Sequence, residues 1–279
     1  MPDINPQQPF DNTTAQEKMR QVQSNFGVAA ADYVTSKVHA SGKDLTWLVE
    51  VIAFTGTEQV LDVATGGGHT AFALAPHVAE VLALDLTRPM LEVAQKEAIA
   101  RQLHNIRFLE GDAQQLPCED ASFDIVACRK AAHHFPYVHQ AVREWARVLK
   151  PDGKLLLVDS ISPEEPEIDV FLNEIETLRD PSHVRNYRLS EWISFLTEAG
   201  FIVSTTREWA ILLDIPSWTQ RMRTPTESIA IIEQRLRNAL PATHKRLRIE
   251  EKDGMLSFML PTALIAAVRT SAQKYEASV

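Results

Sequence analysis

The stretch Val60-Leu61-Asp62-Val63-Ala64-Thr65-Gly66-Gly67-Gly68-His69-Thr70-Ala71 constrains this chain more than any other. A short apolar run holding one acid meets three glycines, and a helix-periodic segment follows. That order predicts a buried parallel strand, a tight turn and a helix whose N-terminus faces a ligand. Glycine removes the Cβ where backbone must approach a ligand closely or take positive φ. Read alone, Gly66-x-Gly68-x-x-Ala71 also satisfies the dinucleotide-binding spacing, so the turn leaves its ligand open.

Alternating segments surround it. Strand-like apolar runs lie at 60–63, 81–85, 106–110, 123–128 and 154–159, with helix-periodic stretches at 69–78, 88–103 and 139–149 between them. This alternation predicts an α/β fold, a doubly wound parallel sheet with right-handed crossovers. Upstream, residues 1–16 are rich in Pro, Gln, Asn and Asp and predict a disordered arm. Residues 17–57 predict a helical cap whose second helix, at 44–54, is stopped by Gly56. Downstream come helices at 167–179 and 191–199, the latter capped by Ser190, and a strand at 201–206. Residues 208–254 read as a helical insertion, a lid on the acceptor side, and 258–268 as a last strand that closes the sheet edge. The core domain is then 58–207 with 255–279.

At 279 residues the chain can bury a full core. Its net charge of −9 disfavours nucleic acid as a partner, since phosphates need a basic face. No apolar run approaches the ~20 residues that span a bilayer, and the N-terminus lacks the basic and apolar stretches of a signal peptide. Cys118 and Cys128 form no CxxC pair, so neither a disulfide framework nor a thiolate zinc site is expected. The expectation is a cytoplasmic protein, with its oligomeric state left open.

Further positions fall at or near predicted strand C-termini, where open α/β sheets bind ligands. Asp85 is placed to accept both ribose hydroxyls, Asp112 with the Ala113 N–H to read an adenine edge, and Arg129 follows the fourth strand. Asp62 separates the candidate ligands. A carboxylate beside the turn works against a pyrophosphate dianion. It suits S-adenosylmethionine, which carries a sulfonium and an ammonium and no phosphate. Singly, each acid could be an N-cap or a solvated loop residue; the set, together with the glycines, resists that account.

These residues carry a family resemblance. The stretch 60–69 resembles motif I of class I S-adenosylmethionine-dependent methyltransferases, and Leu84-Asp85-Leu86-Thr87-Arg88-Pro89-Met90-Leu91 resembles the next motif. Gly111-Asp112-Ala113-Gln114-Gln115-Leu116-Pro117 with Phe123-Asp124 is similar to the third, and Arg147-Val148-Leu149-Lys150-Pro151-Asp152-Gly153-Lys154 to the turn before the fifth strand. The resemblance spans 26–160 and implies a seven-stranded Rossmann-like sheet. It implies S-adenosylmethionine held by Tyr33, Asp62, Ala64, Gly66, Gly67, Gly68, Asp85, Leu86, Met90, Asp112, Ala113 and Arg129. Ala131-Ala132-His133-His134-Phe135 and the segment 183–187 look like the ubiquinone/menaquinone C-methyltransferase-like group of small-molecule enzymes. The insertion at 208–254 exceeds what a minimal quinone enzyme needs, so a quinone acceptor is not implied. Arsenic methyltransfer would need more thiols than Cys118 and Cys128 supply.

Direct displacement at the cofactor's methyl carbon asks the protein mainly for alignment, water exclusion and, where needed, a base. His134 is the base candidate, with packing against the cofactor as its plainer alternative; a metal held by His133, His134 and His139 is disfavoured. Tyr33 and His39 would close over the cofactor, and Arg185, Asn186 and Tyr187 would face the acceptor. Arg221, Arg223, Arg235, Arg237, Lys245, Arg246 and Arg248 make the insertion locally basic, which reads either as solvated helix faces or as a lid for an anionic acceptor. Trp209, Trp218, Met222, Leu236 and Met259 would line an apolar, aromatic-accepting pocket or simply join lid to sheet. The leading expectation is methyl transfer to a small organic acceptor at O, C or N. A nicotinamide-dependent oxidoreductase and a non-catalytic S-adenosylmethionine-binding protein are the two alternatives.

Overall fold

A computed structural model describes residues 12–35 and 42–270, with side chains at 13–27 and 42–270. Two helices open the chain, α1 (Asn12–Thr35) and α2 (Lys43–Glu50). The parallel half of the sheet then builds in order. It comprises β1 (Gln59–Val63), α3 (His69–Leu74), β2 (Glu80–Asp85), α4 (Arg88–Ala100), β3 (Ile106–Glu110), β4 (Phe123–Arg129), α5 (Val138–Val148) and β5 (Leu149–Ser160). The antiparallel half adds α6 (Pro166–Arg179), α7 (Leu189–Glu198), β6 (Phe201–Asp214), α8 (Ile215–Arg221), α9 (Thr226–Arg237), α10 (Pro241–Leu247), β7 (Glu250–Lys252) and β8 (Met255–Arg269).

The eight-stranded sheet runs β3-β2-β1-β4-β5-β8-β6, with β7 paired to β8. Strands β3 to β5 are parallel, and β8 lies antiparallel to both β5 and β6. Leu61, Val81, Ala83, Val126, Ala127, Leu155 and Leu156 are all sealed, because helices cover both faces and leave no solvent side to alternate towards. One layer packs Trp145 of α5 and Trp192 of α7 against the sheet, and the other packs Leu48 of α2 with Leu74 of α3. A third cluster, around Trp218 and Phe258, joins α6 and α8–α10 to the extended ends of β6 and β8. The direction of winding reverses between β1 and β4, which opens a crevice at their C-terminal ends.

The expected α/β doubly wound sheet is present, and several local expectations are corrected. The last strand does not close the sheet edge. Residues 263–267 are buried on both faces between β5 and β6, and β6, exposed along most of its length, is the edge. Residues 208–214, counted with the expected insertion, extend β6 instead, in register with β8 as far as Asp214↔Ser257. Helix begins only where the Asp214 carboxylate accepts the Ser217 N–H at 2.8 Å and Pro216 fixes the first turn. Residues 12–16 belong to α1 rather than to an arm, and Ala15 is buried. Arg188, not Ser190, caps α7; Glu191 accepts the Arg188 N–H at 2.9 Å, while the Ser190 hydroxyl donates to Glu164. The helix expected at 44–54 stops at Glu50, and Gly56 takes its positive φ in the turn before β1.

Leu156 of β5 lies between Ala127 and Ala266 and is fully buried, whereas Leu212 on the edge is 66% exposed. Leu156→Ala should cost roughly 3 kcal/mol by urea unfolding. Leu212→Ala should stay within about 0.5 kcal/mol of the parent.

Candidate active site

The glycine turn is held by two carboxylates. Asp85, ending β2, accepts the Gly66 N–H through Oδ2 and the Thr87 N–H through Oδ1, both at 2.8 Å. Burial pushes its pKa up against those hydrogen bonds. Asp62 sits one layer behind. Its Oδ2 accepts the Thr65 hydroxyl at 2.5 Å and the Ala71 N–H at 3.0 Å, and burial raises its pKa to about 7. Ala64 and Gly66 take φ of 54°, and Gly68 takes 85° as the N-cap of α3. A Cβ on Gly68 would fall 2.4 Å from the Phe72 ring, so packing as well as φ demands glycine there.

The crevice is lined by Ala64, Gly66, Gly67, Asp85, Leu86, Met90, Asp112, Ala113 and Arg129, nine of the positions expected around a cofactor. Asp62 and Gly68 do not reach it: Asp62 braces the turn from inside, and Gly68 faces Phe72. The Tyr33 side chain and all of His39 lie outside the described residues. Arg129 donates from Nε to Asp44 of α2 at 2.7 Å, both side chains being buried, so it ties the cap to the end of β4. Met19, Val22 and Phe26 of α1 roof this half, positions the helical pattern alone did not single out. Lys18 fastens α1 by donating to the Pro181 and His183 carbonyls, and Gln23 by donating to the Leu86 carbonyl. Beside the turn in this half stand two acids, Asp85 and Asp112, while the cation that lines it, Arg129, is paired with Asp44. That setting fits a ribose and a cationic sulfonium and opposes a pyrophosphate.

Past the turn the crevice widens towards the antiparallel half. His133 and His134 follow β4, their rings 4.3 Å apart, and both line the wall. His133 Nδ1–H donates to Asp159 Oδ1 at 2.6 Å, and the His133 backbone N–H donates to Oδ2 at 3.0 Å. Burial works against protonating His133, but the Asp159 carboxylate outweighs it and the pKa rises. His134 Nδ1–H donates to the Ser182 carbonyl at 3.1 Å. Burial, reinforced by the charge of His133, lowers the His134 pKa to about 4, which makes it a poor base.

The expected acceptor group does not face the crevice. Arg185 pairs with Asp169 at 2.6 Å and Glu191 at 3.4 Å, and buried Asn186 accepts the Ser160 hydroxyl. Tyr187 packs edge-on to Trp192 and Phe195. The wall is made instead by Glu176 and Arg179 of α6, Asp180 just after it, Trp218 and Arg221 of α8, and Ile211, Leu213 and Leu260 of the long strands.

The methyltransferase domain family matches residues 61–157, which covers the glycine turn and both following acids. The uncharacterized methyltransferase YcgJ of Bacillus subtilis is 39% identical over 246 residues, covering 88% of this chain and 97% of the relative. This chain is a class I S-adenosylmethionine-dependent methyltransferase. The crystal structure of the YcgJ protein superimposes with a TM-score of 0.79 at 38% identity, covering 82% of this chain and 99% of that one. A demethylmenaquinone methyltransferase of Deinococcus radiodurans is 40% identical over 156 residues, 53% of this chain and 64% of the relative. In this methyltransferase Asp85, Leu86, Met90, Asp112 and the turn would hold S-adenosylmethionine, and the nicotinamide alternative falls away.

Folded, Asp62 keeps its proton up to about pH 7, against an ordinary 3.8 in the unfolded chain. Between those values the folded chain carries the extra proton, so this group lowers stability as pH rises. The amide oxygen of Asp62→Asn can still accept from Thr65 and Ala71 without that penalty. Denaturant unfolding at pH 4 and pH 8 should show the variant gaining roughly 2–4 kcal/mol on the parent across the window.

Proposed function

We propose that this methyltransferase acts on a small organic acceptor whose reacting O, C or N gives up a proton, and that His133, held by Asp159, takes it. One observation carries this reading: the 2.6 Å bond from His133 Nδ1 to buried Asp159, on a ring that lines the crevice beyond the glycine turn. Asp159 fixes the tautomer. With Nδ1–H donating to the carboxylate, Nε2 carries the lone pair, and among the described residues nothing hydrogen-bonds to it. The base role expected of His134 therefore moves to its neighbour.

When bound, S-adenosylmethionine supplies a methyl group on a sulfonium that leaves without help from an acid. The chain's own task is orientation and proton removal. Met19, Val22 and Phe26 exclude water from above, and the turn fixes the approach from below. Asp159 stabilises the imidazolium that forms when His133 accepts the proton.

A metabolite extract incubated with methyl-labelled S-adenosylmethionine should yield a labelled small molecule. Asp85→Ala should weaken S-adenosylhomocysteine binding by roughly 10- to 100-fold, the worth of charge-assisted hydrogen bonds. His133→Asn should leave that affinity intact yet slow label transfer by about 10²–10⁴-fold. Cofactor binding with no labelled product from any extract would favour the non-catalytic alternative.

A further inference from the structure

Asp112 stands in the loop after β3 and lines the cofactor half of the crevice. Its Oδ1 is occupied twice. The Gln114 backbone N–H donates to it at 2.8 Å, and the Gln114 side-chain Nε2 donates at 3.1 Å. Among the described residues nothing hydrogen-bonds to Oδ2. Gln114 is buried and lines the same crevice, and its Oε1 accepts the Tyr137 N–H at 2.6 Å. A backbone N–H can only donate, so the atom it meets must be the amide oxygen, which turns the amide nitrogen towards Asp112. The second hydrogen of that nitrogen is directed at Met19 Sδ of α1, 3.4 Å away. The amide is thus held from three sides.

The loop itself does not need that side chain. Glu144 and Arg147 of α5 brace its backbone from behind. Glu144 Oε2 accepts the Leu116 N–H at 2.8 Å, and Arg147 donates to the Leu116 carbonyl at 3.0 Å and to the Cys118 carbonyl at 2.8 Å. The Gln115 N–H closes the turn on the Asp112 carbonyl at 3.1 Å. These contacts set where Asp112 lies on the chain. What the Gln114 amide adds is a direction. The terminal torsion of an aspartate is broad when left to itself. A second donor on Oδ1 narrows it and leaves Oδ2 as a single oriented acceptor.

We propose that Gln114 is a positioning residue for cofactor specificity: by clamping Oδ1 it leaves Asp112 one acceptor oxygen, which selects a base carrying an exocyclic amino group over one carrying an oxo group. This rests on Asp112 reading the adenine edge of S-adenosylmethionine. An amino group donates to a fixed acceptor, whereas an oxo oxygen meets it lone pair to lone pair and leaves both unsatisfied. A carboxylate able to turn would move that oxygen aside and lose part of the discrimination. The side chain at 114 therefore sets how large the preference is.

The test titrates the full chain calorimetrically with S-adenosylhomocysteine and with its 6-oxo analogue, S-inosylhomocysteine. The parent should bind the first about 100-fold more tightly, the worth of a charge-assisted contact set against an unsatisfied one. Gln114→Leu and Gln114→Glu should each reduce that ratio to roughly tenfold or less. Gln114→Glu separates positioning from packing, since its carboxylate can still accept the Tyr137 N–H but has no hydrogen to give Asp112. Both affinities are taken on one sample, so a partly unfolded fraction weakens them equally and leaves the ratio intact. An unchanged ratio in Gln114→Glu overturns the proposal, whatever Gln114→Leu does, and leaves Asp112 as the reader of the base. Asp112→Asn should collapse the ratio, because its amide can turn a donor towards an oxo group. Equal binding of both ligands by the parent, or a parent-like ratio in Asp112→Asn, removes Asp112 as that reader and this proposal with it.

Discussion

The Asp85 carboxylate, bonded at once to the Gly66 and Thr87 N–H groups, is the contact on which the site depends. It ties the end of β2 to the turn leaving β1, so two strand ends share one anchor. Such a contact needs backbone N–H groups close enough to offset the burial of a charge, and that is why the turn is glycine-rich. Asp62 repeats the device one layer deeper, joining Thr65 to the first turn of α3. The two acids are strained in the electrostatic sense, both raised in pKa by burial. The result is a turn whose shape is set before any ligand arrives. Its local charge sign already discriminates against phosphate.

Electrostatics also divide the crevice along its length. Asp85 and Asp112 stand beside the turn, charges of both signs stand beside α6 and α8, and two adjacent histidines also line the wall. These neighbours differ because only one of them meets an ionised carboxylate at hydrogen-bond distance. His133 has Asp159 at 2.6 Å; His134 has a carbonyl at 3.1 Å and its own neighbour's charge at 4.3 Å between rings. A proton entering this corner therefore settles on His133 rather than His134. Sequence adjacency alone makes the two look interchangeable, and the carboxylate on the next strand separates them.

How much of this was legible follows from how local each signal is. The turn, Asp85 and the parallel strands are short-range patterns, each complete within a dozen residues, and they were readable. The seating of β8 was not, because its pairing with β5 joins residues more than a hundred positions apart. Residues 208–214 hold an apolar run of strand length that fits either period, and only the facing Ser257–Ala263 settles it. Asp62 was recognised as important but assigned to the wrong side of the turn, since a sequence does not say which face of a buried strand a side chain takes. Arg185, Asn186 and Tyr187 looked like a binding loop until their partners, Asp169, Ser160 and Trp192, were in view. Arg179 went unmarked for the opposite reason: a cation in the last turn of a helix is ordinarily explained by the helix dipole.

The two halves of the crevice are not mechanically independent, because both are fastened to residues 179–183. Lys18 of α1 donates to the Pro181 and His183 carbonyls, and Asn25 to the Asp180 carboxylate. From the other side Arg179 donates to the Trp218 carbonyl, and the Thr224 hydroxyl donates back to the Arg179 carbonyl. The Ser182 carbonyl in the same segment orients His134, which meets Phe26 of α1 edge-on. Residues 179–183 thus bind the roof helix on one side and the Trp218 side of the crevice on the other into one hydrogen-bonded unit.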